Sequence, residues 1–119
     1  MGDIDVKQGE IYFVKLEGVG SEQQGYRPFL IASTDHINSK SGIVVGYPIT
    51  HARKRNMPYH FVLKKKDFDF LLYDENIVLT ECVTHLSVSR LQNKLGKVDK
   101  VTLNNIISRS IYVFMEMTK

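Results

Sequence analysis

The chain holds one cysteine, Cys82, in 119 residues, so no disulfide can staple the fold and no second thiol is present to share a zinc ion. No stretch approaches the roughly 18 to 20 uncharged apolar residues that a bilayer span needs. The N-terminal MGDIDVKQGE lacks the basic and apolar regions of a signal peptide. No glycine loop is followed by Lys and Ser or Thr, and no GxGxxG occurs, which leaves nucleotide cofactors unsupported. The histidines at 36, 51, 60 and 85 form no i, i+4 pair and no tight cluster with carboxylates, so the common metal-ligand spacings are missing as well. These absences predict a single soluble domain over residues 1–119, cytoplasmic, with no metal and no cofactor, held together by its apolar core. Net charge is also low, at +3, but it is uneven: Arg53-Lys54-Arg55 and Lys64-Lys65-Lys66 form two short basic runs. Such runs suit either a polyanion partner or a solvated loop.

What is present is mostly strand signal. EIYFVKL at 10–16 is rich in β-branched and aromatic residues, and the glycines at 18, 20 and 25 break the pattern after it. FLIAS after Pro28 reads as a short buried strand, followed by the polar cluster Thr34 to Asn38 and a turn. IVVGYPI at 43–49 is strand-like, with Pro48 marking a strand end or an edge. Tyr59, Phe61 and Leu63 alternate with His60, Val62 and Lys64, as in a half-buried strand. The stretch from 65 to 76 has no clear period. Ile77 to Leu86 reads as one long strand with Glu81 at its centre and Cys82 as a small buried hydrophobe inside it. After a turn at 87–90, QNKLGKV supplies a further strand. The period then becomes helical: Leu103, Ile106, Ile107, Ile111 and Phe114 follow Asp99 and Thr102, either of which suits an N-cap. Short strands followed by one amphipathic helix, without βαβ alternation, predict a mainly β fold, a small, strongly curved antiparallel barrel with a C-terminal helix.

The polar residues left over for chemistry sit at strand ends and in loops: Glu22, Gln23 and Arg27, then Thr50 and His51, then the basic triplet, and Glu81. Arginine presents five fixed donors in a planar fork that fits a phosphodiester. Arg27 therefore reads either as a phosphate ligand or as the cation of a surface pair with Glu22 or Glu10.

Taken together, these motifs resemble the MazF/PemK family of toxin endoribonucleases. GEIYFVKL at 9–16 matches the family's opening strand, and GSEQQGYRP at 20–28 matches its GSEQ-x-G-x-RP signature, the most specific of the set. VVGYPIT at 44–50 matches the strand that ends in a catalytic threonine. MPYHFVL at 57–63 and IVLTECVTHLSVSRL at 77–91 resemble later strands of the family. The resemblance implies an SH3-like barrel and a homodimer whose interface forms RNA-binding grooves. It implies cleavage of single-stranded RNA at short sequences, with translation inhibited, and control by a cognate antitoxin with a disordered acidic segment. By the same motifs, the catalytic arginine falls on Arg27, the catalytic threonine on Thr50 and the signature glutamate on Glu22. Ser21 and Gln23 fall on RNA-contacting loop positions, and His60 and Glu81 near the groove. Tyr26 stands where some members carry histidine. KKKDFDFLLYD at 64–74 is not matched to any of the family's motifs by its length and composition.

RNA carries its own nucleophile, the 2′-hydroxyl, so a metal-free site needs to align it, take its proton, stabilise the phosphorane and protonate the 5′-oxygen. The expected products are a 2′,3′-cyclic phosphate and a 5′-hydroxyl. Arg27 suits charge stabilisation, since losing a proton from a group of pKa above ~12 would be required of it as a base. Thr50 suits positioning. Glu22 and His51 are both candidates for the base. Tyr26, Tyr47 and Tyr59 are candidate base-stacking rings, and Arg53, directly behind Thr50 and His51, is a candidate phosphate contact. A non-enzymatic reading on the same barrel, a gyrase-binding toxin of the CcdB type, has no need of the Arg27 and Thr50 pair.

Overall fold

The computed structural model describes residues 5–16, 25–51 and 57–115. Its strands are β1 (Glu10–Leu16), β2 (Gly25–Ile31), β3 (Ile43–Thr50), β4 (Phe61–Lys64), β5 (Glu75–Val78), β6 (Thr84–Ser87) and β7 (Leu91–Lys97); its helices are α1 (Asp35–Ser41) and α2 (Lys100–Ile111). The strands form one antiparallel sheet in the order β4-β5-β3-β2-β1-β7, with β6 paired to the other half of β3. The register between β1 and β7 shifts twice between Ile11 and Val14, and bulges of this kind raise the local twist. The result is a strongly curled half-barrel closed by α2.

Alternation along the strands sorts the core into two clusters. Ile11, Leu30, Tyr47, Ile49, Leu63 and Val78 face one side, where Leu103 and Ile106 of α2 complete the packing. Val14, Phe29, Ile31, Val44 and Leu86 face the other, with Val6 and Val88. The helix begins where Asp99 accepts from the Thr102 N–H at 3.0 Å, which settles the N-cap on Asp99. Tyr47 donates to Ser110 Oγ at 2.7 Å, tying α2 to β3. The apolar stripe is buried only in its first half. Ile111 is exposed, and Phe114 lies beyond the helix and is 73% exposed.

Several expectations are corrected. The stretch from Ile77 to Leu86 is two strands, because the chain turns at 79–83: the Cys82 N–H bonds to Leu79 O, and the buried Thr80 donates its hydroxyl to Tyr59 O. The long β3 takes both pieces along one edge, β6 on Ile43–Gly46 and β5 on Ile49–Thr50. Pro48, which has no N–H to donate, falls between the two pairings, and its carbonyl accepts from Leu79. Glu81 is therefore in a turn, and Cys82 is half-buried beside it, not inside a strand. The polar cluster at 34–38 opens a second helix, α1, with Thr34 as N-cap. Its lack of apolar period hides it; the buried anchor is Asn38, whose amide bonds to Ser33 O and Val6 O. Strand β2 starts at Gly25, so Arg27 and Pro28 belong to the ladder with β1, opposite Val14 and Phe13. Strand β4 starts at Phe61, leaving Tyr59 and His60 outside it.

One buried charge fixes β1 against β7. Glu10, 4% exposed, pairs with Lys94 at 2.6 Å and accepts from the Lys7 N–H and the Tyr12 hydroxyl. Burial alone would push its carboxyl up, but the bonds from Lys94, Lys7 and Tyr12 prevail and hold it below the usual carboxylate value. Tyr12, partly buried and bonded to Glu10, is pushed up to about 12 by that burial and by the carboxylate. Since the folded value of Glu10 is the lower one, its contribution is present above the ordinary carboxylate range and is lost as pH falls through the folded pKa. Glu10→Gln is expected to cost about 1–3 kcal/mol near neutral pH. In thermal melts the difference from wild type should narrow as the buffer is taken to acid pH; a gap that is constant with pH would remove the charge from the explanation.

Candidate functional site

The β2–β3 register pairs Phe29 with Pro48 and Leu30 with Tyr47. Continued two residues outward, it sets Arg27 across from Thr50, and the side chains meet: Arg27 Nη1 donates to Thr50 Oγ1 at 3.2 Å. The two residues that the sequence placed 23 apart thus form one unit at the end of neighbouring strands. The Arg27 Nε is buried and bonds to nothing among the described residues. Glu10, one of the carboxylates considered for Arg27, is engaged by Lys94 instead. An anion placed beside it would supply an acceptor.

Beside this pair lies a cleft of about 170 Å³ bordered by Arg27, Thr50, His51, Tyr26, Leu72 and Tyr73 among others. By strand alternation, Arg27 and Thr50 belong to the face of Phe29 and Pro48, while Tyr26 and His51 belong to the face of Pro28 and Ile49. The cleft wraps the strand ends between the two. Tyr26 is 56% exposed, stacks on Phe13 with centroids 5.8 Å apart, and has Lys15 over its ring. His51 is exposed and stacks on Tyr73.

The other expected site residues are divided. His60 and Glu81 meet each other, Nε2 to Oε1 at 2.8 Å, but at the far end of the β4–β5 pair: Thr50 is opposite Ile77, whereas Glu81 lies past the end of β5. Neither borders the cleft. Tyr47 is buried and bonded to Ser110, so it offers no ring to a ligand, and Tyr59 meets His60 edge-on away from the cleft. Ser21, Glu22, Gln23 and Arg53 lie outside the described residues. What the sequence did not reveal is the contribution of the 64–74 segment. It is the loop of the β4–β5 hairpin; Phe68, Phe70 and Leu71 pack into the core, and Leu72 and Tyr73 reach the cleft. The only sequence signal was its aromatic content, which does not say over which strand end the loop folds. Among the described residues no group of three His, Cys, Asp or Glu side chains is placed to hold a metal ion, and no helix is long and apolar enough to cross a membrane.

Residues 7–114 match the model of the PemK-like, MazF-like toxins of type II toxin-antitoxin systems. The chain belongs to this toxin family. Among curated proteins it is similar to endoribonuclease EndoA of Bacillus subtilis (strain 168), 30% identical over 103 residues that cover 85% of the chain and 87% of that protein. Solved structures of the same toxins share its fold. MazF (Form-I) from Deinococcus radiodurans superposes with a TM-score of 0.78 at 22% identity, covering 94% of this chain and 98% of that one. A mycobacterial endoribonuclease in complex with its cognate antitoxin gives 0.72 at 24% identity, covering 92% and 94%. The curled sheet and terminal helix expected from the MazF/PemK resemblance are thus the fold of the family's solved toxins.

Proposed function

We propose that the protein is a single-domain toxin endoribonuclease that cleaves single-stranded RNA without a metal ion, and that Arg27 and Thr50 form its catalytic pair. The observation that carries this reading is the Arg27 to Thr50 hydrogen bond beside a buried Nε with no partner among the described residues, in a chain that belongs to a toxin family and resembles a curated endoribonuclease. The guanidinium has donors left for a non-bridging phosphate oxygen, where charge grows as the 2′-oxygen attacks. Thr50 holds that oxygen or the 2′-hydroxyl in line for attack. Glu22, on the motif's assignment, takes the 2′-hydroxyl proton; the 5′-oxygen leaves with a proton, giving a 2′,3′-cyclic phosphate and a 5′-hydroxyl. Ser21, Gln23, Tyr26, His51 and Arg53 serve binding of the strand, and the His60 and Glu81 pair serves it at a distance from the reacting phosphate. Cleavage of mRNA would stop translation. The working unit is a homodimer in the cytoplasm, and a cognate antitoxin with an acidic, disordered segment is its inhibitor, as the toxin–antitoxin complexes among its structural relatives support.

Incubating purified protein with a long RNA, with and without a chelator, tests the reading. Cleavage is expected to persist in the chelator and to leave 5′ ends that polynucleotide kinase labels without prior phosphatase treatment. RNA that stays intact, or 5′-phosphate ends, would overturn it; intact RNA together with gyrase inhibition would move the protein to the CcdB type.

A further inference from the structure

The ring of His51 lies 3.8 Å from that of Tyr73, centroid to centroid, with 21° between planes. His51 is the first residue after β3, and Tyr73 comes from the 64–74 loop, so the stack joins the strand end that carries Thr50 to the loop of the β4–β5 hairpin. Tyr73 is held from both sides. Its carbonyl accepts from the buried Asn76 amide at 2.7 Å, and the same amide bonds to Leu63 O at 3.2 Å. Two residues earlier, Leu71 is 1% exposed in the core. The Tyr73 side chain is nonetheless 47% exposed. A flat ring that is already pinned loses little freedom when a second flat ring is laid against it.

We propose that the His51–Tyr73 stack is the wall against which the site holds one unpaired nucleobase of its RNA, and that it helps select the nucleotide accepted beside the scissile phosphate. The inference rests on the RNA-cleavage reading above. Arg27 and Thr50 belong to one sheet face and His51 to the other, so a nucleotide crossing the strand ends leaves its phosphate on Arg27 and turns its base into the cleft. Leu71 and Leu72 give that cleft an apolar lining, which suits a desolvated base. Stacking on an aromatic face is available to every base, so choice among bases comes from how each fits the bounded cleft beside the stack.

The test uses the whole protein and all-2′-deoxy oligonucleotides, which lack the attacking hydroxyl, carrying one 2-aminopurine within random flanks. Stacking quenches 2-aminopurine fluorescence. Wild type and Tyr73→Phe are expected to quench on binding. Tyr73→Leu is expected to lose the quench and about ten- to a hundred-fold in affinity, and to cut a mixed RNA pool with a broadened sequence preference. His51→Leu removes the other half of the wall and is expected to behave alike. Wild type that binds without quenching, or a Tyr73→Leu variant that quenches and cuts the same sequences as wild type, overturns the inference while leaving the nuclease reading in place. Tyr73-dependent quenching by a wild type that cuts no RNA supports the wall and removes the nuclease.

Discussion

Arg27→Ala is expected to slow RNA cleavage by about 100- to 1000-fold, the usual cost of removing one oriented donor that meets charge developing in the transition state, while the protein stays folded. The two readouts should move apart. Among the described residues the wild-type Nε has no acceptor, and a phosphate oxygen arriving there would supply one. Deleting the side chain removes the proposed cationic partner of the reacting phosphate and a group whose described hydrogen bond is to Thr50, so the melting temperature should shift little as the rate collapses. Arg27→Lys should recover little, since an ammonium supplies a charge but not a planar fork that reaches both Thr50 and a phosphate. Initial rates on an RNA oligonucleotide, paired with thermal melts, decide the matter. A folded Arg27→Ala enzyme with near wild-type rates would take Arg27 out of the mechanism.

Gly46→Ala is expected to abolish folding at 37 °C, although it adds only one methyl group and does so outside the lining of the cleft. Gly46 sits opposite Ile31 in the β2–β3 ladder. A Cβ there collides with the Leu30 carbonyl oxygen, lies 2.9 Å from the carbonyl carbon and reaches 3.0 Å from the Phe29 ring. Neither neighbour can give way: one is backbone within a ladder, and the other is a fully buried ring. Relief requires β2 and β3 to separate, at a cost above about 3 kcal/mol against a total stability of roughly 5–15 kcal/mol. Because these strands carry Arg27 and Thr50, any folded remnant should also be inactive. Expression yield and circular dichroism are sufficient measurements, and a variant that melts within a few degrees of wild type would contradict the close approach.

The strands that were legible in the sequence are those whose pattern is local. β1 occupies the stretch where β-branched and aromatic residues cluster, and α2 begins at one of the two caps its period allowed. The Arg27 and Thr50 pairing was legible only as two motif positions; its geometry depends on the register of β2 with β3, which no local pattern prints. Where reading failed, a tertiary bond had overruled composition. Ile77 to Leu86 looks continuous until Thr80 bonds to Tyr59 O. The α1 segment looks like a loop because its buried anchor, Asn38, is polar. The 64–74 segment could not be placed because its aromatic residues answer to partners on other strands.

That last segment divides its labour along a few residues. Phe70 lies over Gly96 of β7 so closely that a Cβ on Gly96 would run into its ring, and Leu71 fills the core, whereas Leu72 and Tyr73 face solvent and cleft. Mutational tolerance must divide the same way. Substitutions at 70 and 71 are expected to act through stability, while those at 72 and 73 are expected to carry less of that penalty and, on the proposed base-holding wall, to change what the cleft accepts. With that wall in place, a change at the tip of one hairpin loop would alter the RNA accepted without disturbing the fold that carries it.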